Sequence, residues 1–176
     1  NIPVQLTLLW VVLVLVLSYS FTTTEQLVQI QELLIENTPF LTGIELTEIP
    51  DLTQFIFGFI TVVSIYGSVL IHEFGHAVAA DKNNVTVNSI TLWVLGGVAK
   101  IELQNITSRK ELEIAIAGPI VSILISVTMS MLTVIASIGG APELLTLYLL
   151  LITTVNISIA VFNLLPIFPL DGGRIL

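Results

Sequence analysis

This sequence predicts a mainly α membrane protein: a bundle of about four transmembrane helices with a short membrane-associated β-hairpin, in one domain over residues 1–176. Three observations carry that prediction. Hydrophobic residues make up 55% of the chain and charged residues 10%, with a mean hydropathy of +1.00, far too apolar for an ordinary soluble domain. The apolar residues gather in four long runs, 4–21, 54–81, 109–137 and 143–165, each near the length that crosses a hydrocarbon layer about 30 Å thick. Between the second and third runs, over residues 84–105, the period changes: Val85 and Val87 alternate with Thr86 and Asn88, and Ile101 and Leu103 with Lys100, Glu102 and Gln104, which is the pattern of strands.

The first run, Val4 to Phe21, carries no charge and precedes a polar, acidic stretch to Thr53 that contains Glu25, Glu32, Glu36, Glu45, Glu48 and Asp51 but no Lys or Arg. It has neither the basic start nor the small-residue cleavage site of a signal peptide, so it is expected to be retained. Leu27, Ile30, Leu33 and Leu34 give residues 24–37 the spacing of a short amphipathic helix within a connection over the membrane surface. The second run holds both histidines of the chain near its far end, with Gly75 between them where a neighbouring helix can approach closely. Gly96-Gly97 is the natural bend of the hairpin. Ser108 and Glu111 form a capping box that opens the third helix, and Pro119 is expected to kink it. Gly139 to Pro142 is a tight turn before the fourth helix, which stops at Pro166-Ile167-Phe168-Pro169-Leu170-Asp171-Gly172-Gly173-Arg174. Irregular backbone at membrane depth survives only where protein buries it or a wet cavity takes it up.

All five basic residues fall in two segments: Lys82, Lys100, Arg109 and Lys110 between the second and third helices, and Arg174 after the fourth. The positive-inside rule puts both segments in the cytoplasm, with the acidic stretch and the Gly139 turn outside. The net charge of −8 does not suit nucleic-acid binding. The absence of cysteine excludes disulfides, thiolate metal sites and cysteine nucleophiles.

The chemistry centres on Ile71 to Ala79, IHEFGHAVA. On a helix, His72 and His76 lie one turn apart on the same face, and Glu73 is rotated roughly 100° from His72. That is the HExxH pattern of a zinc hydrolase: two neutral imidazoles bind Zn²⁺, and the glutamate takes a proton from the attacking water. An ionisable residue inside a membrane helix is costly and usually functional. A hydrolytic site needs a third protein ligand, and Asp171 is the best candidate. The fourth helix can return it to the level of the histidines, and Gly172-Gly173 permits a tight approach. Asn163 is a candidate donor to the oxyanion or clamp on the substrate, with hydrogen bonding between helices as the competing role. For Asn156 the interhelical bond is the expectation.

Taken together, HEFGH on a transmembrane helix, LGGVA at Leu95 to Ala99, AGP at Ala117 to Pro119 and FNLLPIFPLDGGR at Phe162 to Arg174 resemble the site-2 protease family of intramembrane zinc metalloproteases. The similarity runs from the second helix onward. By matching position it implies His72, His76 and Asp171 as ligands of one zinc ion and Glu73 as catalytic base. It also implies cleavage of transmembrane segments of membrane-tethered proteins, and further helices after Arg174. The strand-like segment, with Gly96 and Gly97, offers an edge on which an unwound substrate can pair. A catalytically silent zinc scaffold and a metal transporter are the alternatives. Glu73 argues against the first, because a structural site needs no base, and the single compact ligand set argues against the second.

Overall fold

The computed structural model describes residues 3–6, 8–19, 24–36, 50–93, 96–101 and 106–174. Its axis is α3, Asp51–Lys82, preceded by the short helices α1, Leu8–Tyr19, and α2, Thr24–Glu36. Pro50 occupies the N-cap of α3, and Asp51 in the first turn and Lys82 in the last complement the helix dipole. Asn84 ends the helix by turning left-handed, φ 58°, a conformation asparagine tolerates better than most residues. The Val85 N–H then bonds the Ala80 carbonyl at 2.9 Å and the Asn84 N–H the Asp81 carbonyl at 3.0 Å, a Schellman closure. Val85 packs beside Ala80 and Ile114 as that closure requires, and the chain leaves α3 toward the sheet.

The hairpin is present as β2, Val87–Trp93, antiparallel to β3, Gly96–Ile101. The expected bend at Gly96-Gly97 is not there, because both glycines lie within β3; residues 94 and 95 are outside the described residues. Gly96 already pairs with Trp93, and Gly97 with Leu92. A third strand was not foreseen. β1, Val4–Leu6, runs parallel to β2 with Val4 opposite Ile90 and Leu6 opposite Leu92, giving the order β1-β2-β3.

That pairing shortens the first predicted span. Of residues 4–21, three join the sheet and α1 keeps 12, about 18 Å of helix and too short to cross a membrane alone. α1 lies against α3 through Val14, Val62 and Tyr66. β1 stands at the hairpin, while α2 buries Leu27 and Leu34 against Phe57, Leu147 and Leu150 at the opposite end of α3. β1 and α2 therefore lie toward opposite ends of α3.

Three helices are long and apolar enough to span: α3, α4 at Ser108–Ile138, and α5 at Glu143–Asn163. The cap of α4 is Thr107, extended and without a side-chain cap bond, so Ser108 is the first helical residue and the predicted capping box does not form. Gly140, φ 65°, ends α4 with a second Schellman closure, in which the Ala141 N–H bonds the Ala136 carbonyl at 3.0 Å. Pro142 caps α5. α5 is tied to α3 by Asn156, fully buried, whose Nδ2 donates to Ser68 Oγ at 3.0 Å, as expected of an interhelical asparagine.

Candidate metal centre

His72 and His76 project from α3 one turn apart, only 2% and 5% exposed. Gly75 lies between them, and a Cβ there would stand 2.9 Å from the Ala117 carbonyl oxygen and from Val121 Cγ2, so α4 passes as close as the sequence anticipated. On α4, a Cβ at Gly118 would overlap His76 Nε2 and come within 2.7 Å of His72 Nε2. The bare backbone of Gly118 is the wall against which both imidazoles rest. Asp171 arrives from the other direction, in a 3-10 turn at Asp171–Arg174. That turn folds tightly onto the segment before it: a Cβ on Gly172 would overlap the Leu164 carbonyl oxygen, and one on Gly173 would stand 2.7 Å from Ile167 C. The two glycines are what allow the aspartate to reach the histidines.

Three donor atoms meet. Asp171 Oδ2 is 3.2 Å from His72 Nε2 and 3.1 Å from His76 Nε2, and the two Nε2 atoms are 3.2 Å apart. Ligands about 2.0–2.1 Å from a tetrahedral zinc stand about 3.3–3.4 Å from one another, so the triangle has the size of one face of that tetrahedron, with a fourth corner left over. The other ring nitrogens support this. His76 Nδ1 donates to the Ile114 carbonyl at 2.7 Å; a carbonyl only accepts, so the proton sits on Nδ1 and the Nε2 lone pair faces the centre. His72 Nδ1 is 2.9 Å from the hydroxyl of Ser122, itself fully buried. With Ser122 accepting from His72 Nδ1, the lone pairs of both Nε2 atoms and a carboxylate oxygen converge in a buried site, and they repel unless a cation sits among them. Among the described residues these three side chains form the group able to hold a metal ion, and their chemistry and spacing fit zinc.

Glu73 belongs to the same motif but not to the triangle. Its carboxylate turns to the hairpin, where Oε2 accepts a 2.8 Å hydrogen bond from the Ala99 N–H. A Cβ on Gly97 would stand 2.6 Å from its Cγ. Gly96 opens β3 opposite Trp93. Asn163 ends α5, and its Nδ2 donates back to the Ile159 carbonyl at 2.9 Å. The sequence reading gave no role in the site to four contributors: Gly118 and the Ala99 N–H, although both residues lie in the motifs quoted above, and Ser122 and the Ile114 carbonyl. For two of them a signal exists, because Gly118, Ser122 and Ser126 recur at every fourth residue and therefore mark one face of small side chains on α4. Nothing in the sequence singles out a backbone carbonyl or N–H.

A model of peptidase family M50 matches residues 60–141 and 139–176. The chain belongs to this family. The resemblance to site-2 protease drawn from its motifs is thereby borne out. This M50 chain is 40% identical over 123 residues to a zinc metalloprotease of Methanocaldococcus jannaschii, covering 69% of this chain and 34% of that protein. It is 37% identical over 110 residues to stage IV sporulation protein FB of Bacillus subtilis, covering 61% of this chain and 36% of that one. It thus spans about a third of the length of these relatives. A solved structure of the site-2 protease from Methanocaldococcus jannaschii is similar at 32% identity with a TM-score of 0.49, over 85% of this chain and 61% of that one.

Proposed function

We propose that this chain is the catalytic core of an intramembrane zinc metalloprotease, with one zinc ion held by His72, His76 and Asp171 and with Glu73 as general base. The observation that carries the reading is the triangle of donors, 3.1–3.2 Å on a side, set between helices long and apolar enough to span a membrane. Zinc in such a site acts as a Lewis acid, bringing water toward ionisation near neutral pH and polarising the scissile carbonyl. The protein does the rest. Glu73 accepts the proton of the attacking water and hands it to the leaving amine. Ser122 and the Ile114 carbonyl hold the imidazoles in the ligating orientation. Asn163 gives one amide hydrogen to Ile159, and its second is the proposed donor to the oxyanion.

The substrates are transmembrane segments of other proteins in the same bilayer. A helical substrate hides its carbonyls in its own hydrogen bonds, so it must unwind first. β3 lies at the edge of the sheet among the described residues and passes Glu73, which supports pairing of an extended substrate along it near Gly96 and Gly97. The metal centre sits toward the cytoplasmic face, a placement supported by Lys82, Arg109 and Lys110 at the hairpin ends of α3 and α4.

The decisive experiment measures zinc content and cleavage of a model transmembrane substrate for the wild type and for Glu73→Gln. Retained zinc with cleavage reduced about 10²- to 10⁴-fold is the expected result. A variant that keeps zinc and cleaves at the wild-type rate refutes the mechanism. Unchanged cleavage after a proline scan over residues 92–98 removes the strand-pairing step alone.

A further inference from the structure

Glu73 is the member of the HExxH motif that leaves the helix bundle for the sheet. It receives the Ala99 N–H on Oε2 at 2.8 Å, and a Cβ on Gly97 would meet its Cγ at 2.6 Å and its Cδ and Oε1 at 3.2 Å. β3 pairs with β2 through Ala99 opposite Ile90 and Gly97 opposite Leu92. An N–H that donates to Glu73 points away from β2, so it belongs to the other edge of the strand. Gly97, two residues earlier, presents its backbone to the same edge.

We propose that β3 positions the catalytic base: the Ala99 N–H anchors the Glu73 carboxylate, and the missing side chain of Gly97 keeps open the space through which Glu73 passes. The proposal rests on the reading of Glu73 as general base. A glutamate side chain has three rotatable bonds, and proton transfer depends on where its oxygen sits before it depends on basicity. A backbone N–H bonded to a carboxylate is a strong, directional restraint. At Gly97 even a methyl group would occupy the path of the Glu73 side chain. The hairpin is then part of the catalytic machinery as well as a dock. One N–H serves one strong acceptor, so a substrate strand on this edge can use the backbone of Gly97 but takes the Ala99 N–H only by displacing the base.

The test exchanges Ala99 for its α-hydroxy analogue, Ala99→lactic acid, in the full-length protein, which deletes the N–H and keeps the side chain. The expected result is a kcat lowered about tenfold or more with KM, zinc content and thermal midpoint unchanged. A second arm places Gly97→Ala in the wild-type and the Glu73→Gln backgrounds. It lowers kcat in the first and adds nothing in the second, because displacing a base that is already absent has no further effect. A wild-type kcat for the Ala99 variant, a loss confined to KM, or a Gly97→Ala penalty equal in both backgrounds overturns the proposal. Wild-type cleavage by Glu73→Gln alone overturns instead the general-base reading beneath it, so the two failures are distinguishable.

Discussion

His72 and His76 on one hand and Glu73 on the other lie within one turn of the same helix, yet two different kinds of structure hold them. The imidazoles are clamped inside a helix pair: Gly118 backs both rings, Ser122 and the Ile114 carbonyl take the outward nitrogens, and both side chains are almost fully buried. Glu73 stands at the border with the sheet, only partly buried, and its hydrogen-bond partner is the backbone of an edge strand. The comparison teaches a division of labour. The arrangement of the three clustered donors depends on close-packed helices that have little freedom to shift, whereas the placement of the Glu73 carboxylate depends on the backbone of the hairpin.

That division can be broken experimentally, and the largest effect is expected where the helix clamp is tightest. Gly118→Ala places a methyl group within 2.7 Å of both Nε2 atoms. Zinc content measured by atomic absorption should fall to background, and cleavage with it, while Gly97→Ala should leave zinc in place. Zinc loss in Gly97→Ala would show that sheet and helices form one unit. A smaller effect is expected for Ser122→Ala, which removes the partner of His72 Nδ1 but no ligand. Zinc affinity, followed by competition with a chromogenic chelator, should weaken about 10- to 100-fold, with cleavage restored at saturating zinc. The smallest belongs to Asn156→Leu, which deletes the buried bond to Ser68 between α3 and α5. A membrane hydrogen bond of this kind contributes about 0.6 kcal/mol, so unfolding in mixed micelles should shift slightly and zinc affinity not at all.

How much of this was legible in the sequence depends on the range of the interaction. The HExxH pattern, the three long spans and the two antiparallel strands are local: a period of 3.6 or of 2 reveals them, and the four-residue spacing of His72 and His76 already places both on one face. The meeting of Asp171 with the histidines was legible for another reason, since a carboxylate directly after apolar sequence is costly unless it has a partner or a function. Two of the misreadings are cases in which a local signal met a distant partner. Residues 4–6 read as the start of a helix because nothing nearby reveals β2, more than 80 positions later in register. Gly96 and Gly97 read as a bend because paired glycines commonly bend, whereas here Gly97 is open space for Glu73. The box at Ser108 gave way to Thr107 by one residue, which is the ordinary uncertainty of helix ends.

By itself the sequence pointed to a membrane protein, to the helix that carries the HExxH motif, and to the three side chains that the fold brings within reach of one metal ion. All of these follow from composition, periodicity and the identity of scarce polar residues in an apolar chain. Only the tertiary structure decided how the site is held: that a glycine on α4 backs both histidines, that a serine and a carbonyl fix their orientation, and that β3 reaches the glutamate. Those are contacts of backbone and of small side chains across elements distant in sequence. They leave no periodic trace, because a glycine or a peptide N–H looks the same in every role until the fold brings its partner to it.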